Sequence, residues 1–131
     1  MIWIIRCSDR RYRFNPSYQN GLKGILSAEN IQNDYHDLRC FGAALGFVLN
    51  PGWAANQLKI AAHLGKKRFL IVDHMDCHAY PLEFGPLSTT NERRKHIEML
   101  TKASALVRKH QPEITPIIYI QDGHRYEKIA V

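Results

Sequence analysis

Cysteine is scarce in this chain and occurs an odd number of times, three in 131 residues. Arg6 interrupts the opening Met1-Ile2-Trp3-Ile4-Ile5 too early for an apolar signal core, so no secretory segment is expected ahead of the thiols. An odd count without such a segment argues against a disulfide framework. A reducing, cytoplasmic setting is the expectation, and there thiols serve metal binding or catalysis. Long apolar runs are missing too: none approaches the roughly 20 residues a membrane span requires. Acidic residues are outnumbered, 12 against 18 basic, for a net charge of +6. The basic residues gather at Lys66-Lys67-Arg68 and Arg93-Arg94-Lys95. No interleaved aromatics accompany them, so they read as solvated loop and helix positions rather than a nucleic-acid surface. Repeats, low-complexity tracts and linkers are absent. An apolar fraction of 45% and a charged fraction of 23% are ordinary for a globular protein. Residues 1–131 are therefore read as one domain with a sizeable core.

What is present centres on Phe69 to Tyr80. Phe69-Leu70-Ile71-Val72 reads as a strand buried on both faces. His74, Cys77 and His78 follow it directly. His-x-x-Cys leaving a strand in a turn sets an imidazole and a thiol within reach of one cation, and such ligands suit zinc better than calcium or magnesium. Two ligands hold a metal poorly, so a third is needed.

The rest of the chain alternates. Ile2 to Cys7 reads as a buried first strand, closing in Cys7-Ser8-Asp9-Arg10-Arg11. Arg13 to Asn33 carries Asn15-Pro16, Asn20-Gly21 and Lys23-Gly24, and reads as a loop with a short helix around Leu22 to Glu29. Asp34 to Cys40 reads as a second strand, and Gly42 to Leu49 as a loop or helical turn. Asn50 and Pro51 predict a helix start. Ala54, Leu58, Ala61 and Ala62 give that helix one apolar face, and Gly65 ends it. Pro81 to Pro86 reads as a loop. Thr89-Thr90-Asn91-Glu92 has capping-box spacing ahead of a helix running to about His110. Thr115 to Ile120 reads as a buried strand, and Asp122-Gly123 as a hairpin signal that returns Arg125 to Val131 antiparallel at an edge.

This pattern predicts an α/β fold: a mostly parallel sheet in order 2-1-3-4 with an antiparallel edge strand, flanked by helices. Ligands in such sheets collect outside the carboxyl ends of the strands, where strand order reverses. The first and third strands would be neighbours there, so Cys7 would meet His74 and Cys77.

Cys7-x-Asp9-x-Arg11 together with His74-x-x-Cys77, in order and at strand ends, resembles the paired motifs of β-class carbonic anhydrases. The resemblance covers roughly Ile2 to Ile129. It implies Cys7, His74 and Cys77 as zinc ligands, Asp9 as the catalytic carboxylate and Arg11 as the residue that holds it. It implies reversible hydration of carbon dioxide to bicarbonate by hydroxide generated at the zinc, in a homodimer or higher homo-oligomer. The same ligands would also serve a related enzyme acting on carbon disulfide or carbonyl sulfide, or a non-catalytic zinc domain. Departures from the family's pattern are informative. His78 stands where the family has a glycine, and is a candidate proton shuttle. Arg39-Cys40-Phe41-Gly42 replaces Arg-Asn-Ala-Gly, with Cys40 read as a plain buried thiol. Gln32 lies one position off the register of the family's active-site glutamine and is a further candidate. The family's N-terminal helical arm has no counterpart before Ile2, which leaves the form of the oligomer open. Tyr80, Phe84 and Phe41 are expected to wall the pocket or to pack. His36, His63, His96, His110 and His124 are expected at surface or satisfied positions.

Overall fold

The computed structural model describes residues 2–32, 34–65 and 68–130. Met1, Asn33, Lys66, Lys67 and Val131 lie outside the described residues, and with them two members of the first basic cluster.

Five strands form one sheet. They are β1 (Ile2–Cys7), β2 (Tyr35–Cys40), β3 (Arg68–His74), β4 (Ile117–Asp122) and β5 (Arg125–Ile129), in the order β2-β1-β3-β4-β5. The first four are parallel and β5 returns antiparallel. The expected architecture is the observed one. The hairpin differs in detail: Asp122 pairs with Arg125, so the two loop residues are Gly123 and His124.

Alternation along β1 explains the two layers of core. Trp3, Ile5 and Cys7 face one side, packing with Phe69 and Ile71 of β3. Helices α3 (Ala44–Leu49), α4 (Pro51–His63) and α6 (Thr89–His110) cover that side through Phe47, Leu58, Leu100 and Val107. Ile2 and Ile4 face the other side with Leu70 and Val72, covered by Leu22 and Ile25 of α2 (Pro16–Ala28). Both faces are apolar because both are roofed. Among the described residues, no helix is long and apolar enough to cross a membrane.

Helix appears in three places where the sequence predicted none or a shorter one. Arg10–Phe14 forms α1, capped by Asp9, whose side chain accepts from Arg11 N. Ala79–Phe84 forms α5. The third is α2, which begins at Pro16 rather than Leu22, because Asn15-Pro16 is a helix start: the Asn15 side chain accepts from Ser17 N and proline takes the first turn. Its glycines are not breakers. A Cβ on Gly21 would come within 2.5 Å of Gln121 Nε2 and 2.8 Å of the Gly123 carbonyl oxygen. Glycine there lets α2 approach the β4–β5 hairpin. Two expected caps are also replaced. Asn50 makes no side-chain cap and donates to the Gly46 carbonyl at 2.8 Å. Ser88 caps α6, accepting from Asn91 N at 3.2 Å, which frees Glu92 for other partners. In the second basic cluster, Arg93 pairs with Glu127 at 2.8 Å and Lys95 with Glu98 at 3.2 Å.

Candidate metal centre

Register brings the three donors to one place. Arg6 lies beside Val72 across the β1–β3 pair, so Cys7 and His74 end their strands within two residues of the same level. Beyond His74 the chain turns back through Asp76, at φ +58°, a left-handed conformation that aspartate tolerates better than most residues. That turn returns Cys77 to the mouth of β1. Cys7 Sγ and Cys77 Sγ stand 3.8 Å apart. These two sulfurs and a ring nitrogen of His74 all lie within 4.8 Å of one another, and all three residues are buried.

The protonation pattern of the three is that of a ligand set. His74 Nδ1 lies 2.9 Å from the Met75 carbonyl oxygen, which can only accept, so Nδ1 carries the proton. His74 Nε2 therefore presents a bare lone pair, and it is buried without a partner. Such an atom is costly unless something fills its lone pair. The ring is clamped in this pose by Tyr12, stacked at 4.4 Å between centroids and 9° between planes, and by Tyr18 edge-on at 5.4 Å. Tyr18 Oη also donates to the Met75 carbonyl at 2.9 Å. Cys7 Sγ accepts backbone N–H bonds from Asp9 and Gly42, each at 3.3 Å. A hydrogen bond from Cys77 holds the Cys7 thiol well below the ordinary thiol range, against the opposing effect of burial. Cys77 is pushed up by that same bond and by burial. Two sulfurs sharing one proton beside an unpaired imidazole nitrogen fit a metal ion, which would take the proton's place and fill the lone pair.

Asp9 and Arg11 sit on the rim. Asp9 Oδ1 accepts from Arg11 N at 2.9 Å, while Oδ2 lies 3.5 Å from both the Arg11 guanidinium and His78 N. Burial pushes the Asp9 carboxyl up, but these backbone N–H groups and the Arg11 charge outweigh it and hold Asp9 below the usual carboxylate range. Arg11 also donates to the Asp76 carbonyl at 2.6 Å and meets its carboxylate at 3.2 Å. It thereby ties α1 to the loop carrying Cys77.

The remaining candidates divide. His78 is mostly exposed, with Nδ1 3.9 Å from Asp9 Oδ2. It lines a concavity with Phe41, Pro81 and Leu82. Cys40 lies outside the donor group: its thiol donates to the Ala43 carbonyl at 3.2 Å, and burial pushes it up to about 12. Gln32 is exposed in a cleft with Ile2, Asp34 and Arg68, at the amino ends of the strands. The donors stand at the carboxyl ends, so the chain does not bring Gln32 to them. Tyr80 is fully buried with Phe84 against it, and Phe41 is exposed. Sequence reasoning left one group unjoined. His96 is buried, with Nδ1 2.7 Å from Asp73 and Nε2 2.9 Å from Glu92. Burial works to lower its pKa, but the two carboxylates overcome this and push it up to about 9. The signals were Glu92 four residues before His96 on one helix and a carboxylate, Asp73, closing an apolar run.

Fold and side chains together define an α/β protein with a buried Cys-His-Cys group, close enough to hold one metal ion, where strand order reverses. Its fold is that of the β-carbonic anhydrases. Isoform I of the β-carbonic anhydrase from Trichomonas vaginalis matches with a TM-score of 0.58 at 13% identity, over 98% of this chain and 81% of that one. A tetrameric β-carbonic anhydrase from Sordaria macrospora matches with a TM-score of 0.54 at 16% identity, over 99% and 80%. Neither a protein-family model nor a curated protein sequence matches the chain.

Proposed function

We propose that this protein is a zinc-dependent enzyme that reversibly hydrates carbon dioxide to bicarbonate. The observation that carries the reading is the unpartnered His74 Nε2 held against two paired sulfurs, with an ionised carboxylate fixed at the rim. Two thiolates and an imidazole are a donor set that favours zinc. Zinc with three protein ligands keeps a position open for water and lowers that water's pKa to about 7, supplying hydroxide at neutral pH.

The protein's own groups do the rest. Cys7, His74 and Cys77 hold the ion. Asp9 accepts a hydrogen bond from the attacking oxygen and orients it, and Arg11 keeps Asp9 ionised and aimed. Phe41, Pro81 and Leu82 line an apolar concavity with His78, which neighbours Asp9, and such a surface suits an uncharged substrate. His78, exposed beside Asp9, is placed to pass the released proton to solvent. The fold likeness to a tetrameric enzyme and the exposed Phe41 and Leu82 beside the site support a homo-oligomer.

Metal content followed by stopped-flow hydration of carbon dioxide with a pH indicator tests the reading. One zinc per chain and turnover that rises with pH are expected. Zinc without hydration at pH 7 and pH 9 would overturn the substrate, and the same assay with carbonyl sulfide or carbon disulfide would then identify a sister activity. Absence of bound metal after gentle purification would overturn the whole reading.

A further inference from the structure

Behind the donors lies a second polar cluster that hydration does not use. Asp73 immediately precedes His74. Its Oδ1 accepts Ala44 N–H at 3.0 Å, and its Oδ2 accepts Tyr80 O–H at 2.8 Å. His96 Nδ1 lies 2.7 Å from the same Oδ2, and Nε2 lies 2.9 Å from Glu92 Oε2. Glu92 Oε2 in turn faces the backbone N–H of Cys77 at 3.5 Å. The Tyr80 ring rests on the imidazole with centroids 3.9 Å apart. Side-chain exposure is 0% for Asp73, 1% for His96 and 15% for Glu92.

Folding alone gives little reason for this arrangement. Apolar side chains of similar volume often stabilise such a core as well as buried ion pairs do. The ends of the cluster point to a purpose. One end is the neighbour of His74 and the other is the backbone of Cys77. Those two ligands share one loop, and their separation depends on how that loop sits on α6.

We propose that His96 is a positioning residue for the metal centre: by joining Asp73 to Glu92 it fixes the strand end bearing His74 against the backbone of Cys77, so that Nε2 and Sγ converge on one point. The proposal rests on Cys7, His74 and Cys77 being metal ligands, and not on the reaction they serve. Groups hydrogen-bonded directly to metal ligands typically govern about 10–100-fold of metal affinity, and His96 acts one link further out, through Asp73 and Glu92.

Zinc affinity, by competition with a chromophoric chelator, and the visible spectrum of the cobalt-substituted protein provide the test. His96→Gln should bind zinc about 10-fold more weakly, the low end of the range for direct ligand partners, with its cobalt bands shifted or weakened. Leu58→Ala is the control: it truncates a fully buried side chain on α4 that takes no part in the hydrogen bonds of the cluster. It should lower Tm while leaving affinity and spectrum unchanged. Equal affinity and spectrum for His96→Gln and wild type, or equal weakening by Leu58→Ala, overturns the proposal. Should His96→Gln fail to fold, Glu92→Gln at the exposed end of the cluster decides: about 10-fold weaker zinc binding supports it and unchanged binding refutes it. Wild-type protein that takes up neither metal refutes it as well, together with the ligand assignment. Wild-type protein that binds zinc but hydrates nothing refutes only the proposed reaction.

Discussion

Raising the pH from 6 to 10 should destabilise this fold through His96. Held between Asp73 and Glu92 and covered by Tyr80, the folded imidazole stays protonated up to about 9. In the unfolded chain it titrates near 6.5. Below about 6.5 both states carry the proton, and the imidazolium's contribution to stability is complete. Between the two values only the folded state holds the proton, so stability falls with each pH step. Above about 9 both states release it and the contribution is gone. At about 1.4 kcal/mol per pH unit, the interval is worth roughly 3 kcal/mol. The assay is urea unfolding across pH 6 to 10, with chelator present, for wild type and His96→Gln. The Cys7 thiol, held well below the ordinary thiol range, contributes with the opposite sign in both proteins and cancels in their difference. The wild-type advantage should shrink by about 3 kcal/mol across the window. A difference that stays flat would refute an imidazolium between two carboxylates, and one that grows would mean that the histidine is neutral when folded.

Further substitutions probe the donors and their supports. Cys7→Ser should lose the metal, whereas Asp9→Asn should keep it by elemental analysis and lose about 100-fold or more in turnover. Gly46→Ala should cost about 1–3 kcal/mol in urea unfolding, because its Cβ would press on the Phe41 carbonyl oxygen. It should also weaken zinc binding by displacing the Gly42 N–H from Cys7. Tyr18→Phe, which leaves the Met75 carbonyl one donor short, should cost about 1 kcal/mol in the same assay.

The strand order, the mostly parallel sheet and the meeting of Cys7 with His74 and Cys77 were readable because each leaves a short-range mark. Apolar runs announce β1 and β3, and the chemistry-bearing residues stand at their ends. What escaped is non-local. Gly21 looked like a breaker because nothing near it in sequence reveals the hairpin that needs its missing Cβ. Glu92 looked like the far half of a capping box, yet Ser88 caps the helix and Glu92 turns to His96 and Cys77. His96 fell among histidines with no evident partner, because Asp73 is 23 residues away and becomes its neighbour only when α6 packs on the sheet. Gln32 shows the converse: nearness to a family register says little when the residue emerges at the wrong end of the strands.

The two sulfurs that stand 3.8 Å apart belong to residues 70 positions distant. An ion gripping both would act as a cross-link closing a long loop, and a closure of that span restricts the unfolded chain by about 4 kcal/mol on the entropy scale used for covalent bridges. Mass action then ties folded lifetime to the free concentration of the ion. Scarcity of metal would be felt by this chain first as proteolysis and turnover of the polypeptide, and only second as an idle catalyst.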